Sequence, residues 1–180
     1  MNKSLNLPNA LALFRIALAP IMLIFLVHRD NILFSSWDPS WLDYFAGLIF
    51  VIASITDFFD GFIARQWDQM TKLGAVLDPL ADKMLMLAGF LGLMMIDRAS
   101  AWAVFLILSR EFFITGLRVV AVSEGKNVAS TMAGKIKTVV QMIAIGFLIM
   151  NWPYATALLW LAVILTMYSG YEYIRDYFKN

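Results

Sequence analysis

Six apolar runs of about 20 residues, separated by short polar gaps, set the strongest limit on what this chain can fold into. Each run is long enough to cross a hydrocarbon core of roughly 30 Å as an α-helix, and an α-helix satisfies its backbone polar groups internally. The runs are predicted over residues 8–27, 41–64, 74–96, 101–122, 131–150 and 154–174. The connections are short, with no internal repeat and no low-complexity linker. These features predict an all-α integral membrane protein, a bundle of six transmembrane helices in a single domain spanning residues 1–180. At 61% hydrophobic and 15% charged residues, the chain is too apolar for an ordinary soluble domain. A net charge of +1 without a basic stripe gives no footprint for nucleic acid. Zero cysteines exclude a disulfide framework and a thiolate metal site. The N-terminal run has a lysine before it, as a signal peptide would, but Arg15 interrupts it and no small-x-small cleavage site follows. It is therefore read as a retained first span.

Cation placement orients the bundle. Lys3, Arg65, Lys72, Lys126, Lys135, Arg175 and Lys179 fall on one side under this topology, against Arg29 and Arg98 on the other. Both termini are thus expected in the cytoplasm. Trp37, Trp41, Trp102, Trp152 and Tyr154 fall near span ends, where amphipathic rings favour the membrane interface.

Between the second and third runs stands DFFDGFIARQWDQMTKLGAVLDPLAD, residues 57–82. Asp57 and Asp60 are three apart, and Asp78 and Asp82 four apart, so each pair lies on one helix face. Four carboxylates converging in low dielectric repel one another unless cations stand between them, and carboxylate oxygens suit Mg²⁺, Mn²⁺ or Ca²⁺. The competing reading has the acids separately solvated or paired with Arg65, Lys72 and Lys83; Asp68, off both faces, is read as solvated. Gly61, Ala64 and Gly74 lie within a turn of the acids and allow close approach of a helix or a bulky ligand. Arg65 adds a cation suited to phosphate oxygens. Metals, a cation and small residues together point to a diphosphate-containing substrate.

Asp57-x-x-Asp60-Gly61-x-x-Ala64-Arg65, followed after eight residues by Gly74-x-x-x-Asp78-x-x-x-Asp82, resembles the signature of the CDP-alcohol phosphotransferase family at all eight positions. That family transfers a phosphatidyl or similar group from a CDP-linked donor to an alcohol and releases CMP. The resemblance implies that Asp57, Asp60, Asp78 and Asp82 hold two divalent cations, Mg²⁺ or Mn²⁺, and that Asp82 is the general base. It implies a donor site lined by Gly61, Ala64, Arg65 and Gly74, with Thr71 from the connecting segment, and a homodimer. DPLADK (78–83), NLPNALALFR (6–15), REFFITGLR (110–118) and GKIKTVVQ (134–141) are similar to the phosphatidylglycerophosphate synthase branch. Its donor is CDP-diacylglycerol and its acceptor is sn-glycerol 3-phosphate, which places the chain in phosphatidylglycerol synthesis at a bacterial-type cell membrane. Ala12 departs from that branch, where threonine is common, and removes any contact its hydroxyl makes.

The residues agree with an anionic acceptor. Arg110 and Arg118 lie about 80° apart around one helix, and Lys135 and Lys137 enter the next span from the same side. Cations in an apolar setting without matching acids ask for an anionic ligand, although Glu111 and Glu124 are near in sequence. The alternative is that Arg118, Lys126, Lys135 and Lys137 are topology signals at lipid headgroups. Asn9 and Arg15 are either substrate contacts or polar links between helices. His28 is read as an interfacial bystander. Rival functions are the same chemistry with serine or an inositol phosphate as acceptor, a membrane prenyltransferase, and a divalent-cation transporter. The prenyltransferase reading requires a longer chain with more widely separated acidic motifs. A transporter would place polar groups through the whole bilayer thickness.

Overall fold

The computed structural model describes residues 7–28, 37–66, 74–125 and 132–179. They form six α-helices: α1 (Leu7–Val27), α2 (Pro39–Gln66), α3 (Gly74–Met95), α4 (Ala101–Ser123), α5 (Met132–Ile149) and α6 (Ala155–Lys179). No strand occurs among the described residues. Every predicted run is a helix. Four of them, α1, α2, α5 and α6, are long and apolar enough to cross a membrane. The other two are as long, at 22 and 23 residues. Each carries three charged residues, Asp78, Asp82 and Lys83 in α3 and Arg110, Glu111 and Arg118 in α4.

The chain forms two compact units, Met1–Ile96 and Asp97–Asn180. In the first, α1 packs along both α2 and α3, which touch each other far less. Its buried face carries Asn9, Ala12, Arg15, Ala19, Met22 and Leu26, spaced three or four apart. Arg15 is the only charged residue of α1. The buried stripe of α2, Leu42, Ala46, Phe50 and Ala53, leads by the same period to Asp57. On α3, Ala81, Leu85 and Phe90 are buried. Gly92 lets α1 approach, since a Cβ there would stand 2.7 Å from Leu26 Cδ1. Ahead of α2, the Ser40 backbone N–H donates to Asp38 Oδ1 at 2.8 Å, which holds the Asp38 carboxyl below its ordinary range.

α3 begins at Gly74 and runs through Pro79. Pro79 lies so near the start that only the turn containing Ala75 loses a backbone hydrogen bond.

In the second unit, α6 packs against both α4 and α5. Two residues past the end of α4, Gly125 has a φ of 73°, the left-handed geometry that glycine adopts freely, and its N–H donates to the Val122 carbonyl at 3.1 Å. Arg98 Nη1 donates to the Ile149 carbonyl at 2.6 Å and so satisfies the C-terminus of α5. Large apolar side chains are exposed on every helix, as a lipid-facing surface requires, and Trp37, Trp41, Trp102, Trp152 and Tyr154 are exposed at or near helix ends.

Candidate active site

The acids are predicted to face one another across two adjacent helices. The structure inserts α1 into that arrangement. The Arg15 side chain is fully buried, and its Nη1 donates to Asp57 Oδ1. Asp82 Oδ1 lies 3.9 Å from Nη1, and Asp78 Oδ1 lies 4.0 Å from Nη2. One guanidinium thus stands among three of the four predicted metal ligands. The three carboxylate side chains remain between 30% and 39% exposed, whereas that of Arg15 is fully buried. Asp78 Oδ1 is buried and has no hydrogen-bond partner among the described residues.

Asp60, Gly61, Ala64 and Arg65 fall on the last turns of α2, and their side chains lie outside the described residues. Thr71 lies outside the described residues altogether, as do Lys3, Arg29, Asp68, Lys72 and Lys126. Gly74 is the first residue of α3 and is buried, and Asn9 is buried on the Arg15 face of α1.

Among the described residues no three acids stand close enough together to hold one ion, and the side chain of Asp60 lies outside them. What the cluster does offer is carboxylate oxygens, one of them buried without a hydrogen bond. These are hard ligands of the kind Mg²⁺ and Mn²⁺ take.

In the second unit a polar network runs through the buried faces of α4, α5 and α6. Lys137 Nζ pairs with Glu111 Oε1. Arg110 Nη1 lies 3.4 Å from the same oxygen, and Arg110 Nη2 donates to Ser169 Oγ at 3.0 Å. Gln141 Nε2 donates to Thr166 Oγ1 at 2.7 Å. Arg118, exposed, places its guanidinium 5.7 Å from the centroid of the Tyr173 ring. Ser169 and Tyr173 are one turn apart on α6, so Arg110 and Arg118 meet the same helix. Lys135 is exposed and outside this network.

Sequence reasoning treated the cations of this region as lacking acids, yet Glu111 is shared by two of them. It also missed Ser169 and Gly170. A Cβ at Gly170 would stand 3.1 Å from both Cγ and Nε of Arg110, so the arginine runs directly across that glycine. The available signal was polar or small residues recurring on the buried face of an apolar helix, here Thr166, Ser169 and Gly170.

The profile of the CDP-alcohol phosphatidyltransferase family matches residues 5–168. A CDP-diacylglycerol–glycerol-3-phosphate 3-phosphatidyltransferase of Bacillus subtilis (strain 168) is 45% identical, covering 93% of this chain and 93% of its own length. The protein of the same name from Escherichia coli (strain K12) is 37% identical over 94% of this chain and 93% of its own. That from Shigella flexneri serotype 5b is 36% identical over the same shares.

Proposed function

This chain belongs to the CDP-alcohol phosphatidyltransferase family, and we propose that it transfers the phosphatidyl group of CDP-diacylglycerol to sn-glycerol 3-phosphate. The products are phosphatidylglycerophosphate and CMP, and the step serves anionic phospholipid synthesis. The observation that carries the reading is the gathering of Asp57, Asp78 and Asp82 around one buried guanidinium. An acid cluster of that kind is built for cations that in turn bind a diphosphate. The family match runs across both units of the chain, which supports a single working domain over residues 1–180. We read all six helices as membrane spans in a bacterial-type cell membrane, with both termini and the acid cluster on the cytoplasmic side. The family resemblance also points to a homodimer.

Members of the family use divalent metals. Asp57, Asp60, Asp78 and Asp82 would hold two of them, Mg²⁺ or Mn²⁺, which supply positive charge to the diphosphate and to the leaving oxygen. The chain's residues do the rest. Asn9, Gly61, Ala64, Arg65, Thr71 and Gly74 shape the donor site, the small residues leaving room for the nucleotide and Arg65 meeting phosphate oxygens. Arg110, Arg118, Lys135 and Lys137 bind the acceptor's phosphate and so fix its free hydroxyl. Asp82 accepts the proton of that hydroxyl as its oxygen bonds to the phosphatidyl phosphorus. The phosphorus–oxygen bond to CMP breaks, and CMP leaves with the electron pair.

The test supplies purified protein with CDP-diacylglycerol, Mg²⁺ and one acceptor at a time, and follows CMP release. Release is expected with glycerol 3-phosphate. Faster release with serine or an inositol phosphate refutes the acceptor assignment.

A further inference from the structure

The acid cluster contains a cation supplied by the chain itself. The side chain of Arg15 is 0% exposed, and an isolated charge so placed costs several kcal/mol. Its position is nevertheless fixed by its neighbours. Ala12, Ala19, Met22 and Leu26 lie on the same face of α1 and are all buried. α1 cannot turn Arg15 away without bringing those apolar residues out of the core and exposed ones into it. The guanidinium therefore remains with Asp57, Asp78 and Asp82, which come from both helices that α1 packs against.

We propose that Arg15 is a positioning residue for the metal site: the resident counter-cation that holds these carboxylates together before metal binds, and that competes with the metal for them. The proposal rests on the two-metal reading above. Without Arg15, three converging carboxylates repel one another at short range, and the metal-free protein loses the charge that balanced them. A divalent ion entering that cluster then relieves more repulsion and displaces no competitor. In the native chain, binding has to draw carboxylate oxygens from a guanidinium already in contact with them. Arg15 thereby trades metal affinity for an acid cluster that stays assembled when empty.

The test compares full-length wild type with Arg15→Gln in detergent after chelation. Mn²⁺ binding is read from the electron paramagnetic resonance signal of free Mn²⁺, and unfolding is measured with and without Mn²⁺. Arg15→Gln is expected to bind Mn²⁺ about tenfold more tightly or better, the size that one screened unit charge at this range produces. Its metal-free Tm should fall, and the rise in Tm on adding Mn²⁺ should exceed that of wild type. A residue that merely fills space would lower Tm without tightening Mn²⁺. Equal or weaker Mn²⁺ binding by the folded variant overturns the proposal while wild-type binding keeps the metal reading intact. Absence of Mn²⁺ binding by both proteins overturns the metal reading and the proposal with it. Should Arg15→Gln fail to fold, the wild-type guanidinium ¹⁵N NMR signal carries the test, assigned by its loss in Arg15→Lys. A signal unchanged by saturating Mg²⁺ overturns the proposal, and a shifted one supports it.

Discussion

Gly170→Ala adds one methyl group where Arg110 crosses α6. The new Cβ would stand 3.1 Å from Arg110 Cγ and Nε and 3.7 Å from Cδ, and contacts this short are tighter than nearly all real ones. The arginine must then give way by a few tenths of an ångström. Its guanidinium is held by Ser169 Oγ at 3.0 Å and Glu111 Oε1 at 3.4 Å, and a shift at Cγ is passed on to both. A charged hydrogen bond is worth about 1.5–3 kcal/mol, so misaiming the group proposed to meet the acceptor's phosphate should reduce kcat/KM for glycerol 3-phosphate by roughly 10–100-fold. Fold stability should change little, because alanine within a helix gains roughly 0.5–1 kcal/mol over glycine and offsets part of the crowding. Gly116→Ala is the control, since a Cβ there has no neighbour within 4 Å. The assay is initial-rate CMP release with the two substrates varied in turn, alongside thermal unfolding. The acceptor's KM should rise while the KM for CDP-diacylglycerol holds. A variant with wild-type kcat/KM for glycerol 3-phosphate refutes Arg110 as an acceptor contact; a matching rise in the donor's KM shows a general distortion instead.

Asp82→Asn should abolish transfer while retaining appreciable CDP-diacylglycerol binding, because the other acids remain; near-wild-type turnover in the same CMP assay removes Asp82 as the base. Glu111→Gln leaves Arg110 and Lys137, both largely buried, without their shared carboxylate and should cost about 3 kcal/mol of stability. Added inorganic phosphate should restore part of its Tm, and a Tm indifferent to phosphate argues against an anion site there. Gly92→Ala drives a Cβ to 2.7 Å from Leu26 Cδ1 and should destabilise by about 1–3 kcal/mol; Leu26→Ala in the same chain should relieve only part of that crowding in a double-mutant unfolding cycle, because the Cβ of residue 26 stays at 3.0 Å and Leu23 Cδ1 at 3.2 Å.

The helices were legible because a membrane-length apolar run leaves the backbone few alternatives, and the ends of the runs coincide with polar gaps. The acid pairs were legible from helical spacing. Their setting was not. Nothing in an apolar pattern says which helix lies between which, so the sequence paired α2 with α3, and only tertiary packing puts α1 along both. The clue was Arg15 itself, a charge on a face otherwise made of Ala12, Ala19, Met22 and Leu26, where a buried partner is obligatory. Glu111 was discounted for a similar reason. Beside Arg110 in sequence it looks like a local neighbour, whereas its closest partner is Lys137 on α5.

The two charged clusters differ in what internal pairing leaves over, and that difference argues for their ligands more strongly than the residue types alone. Around Arg15 stand three carboxylates against its one guanidinium. Under the proposed function, divalent cations would bring further positive charge to those carboxylates. Around Glu111 the sum runs the other way, with Arg110 and Lys137 against one carboxylate, leaving one positive. Arg118 of α4, whose guanidinium lies over Tyr173 of α6, adds to the excess. A network half-buried among apolar helices would not carry unpaired positive charge for stability, because removing it would be cheaper than solvating it. Under the proposed function, an anionic acceptor would neutralise that excess on binding. The internal partners, Arg15 in one cluster and Glu111 in the other, would then share one physical role, each keeping like charges assembled until a ligand of the missing sign arrives.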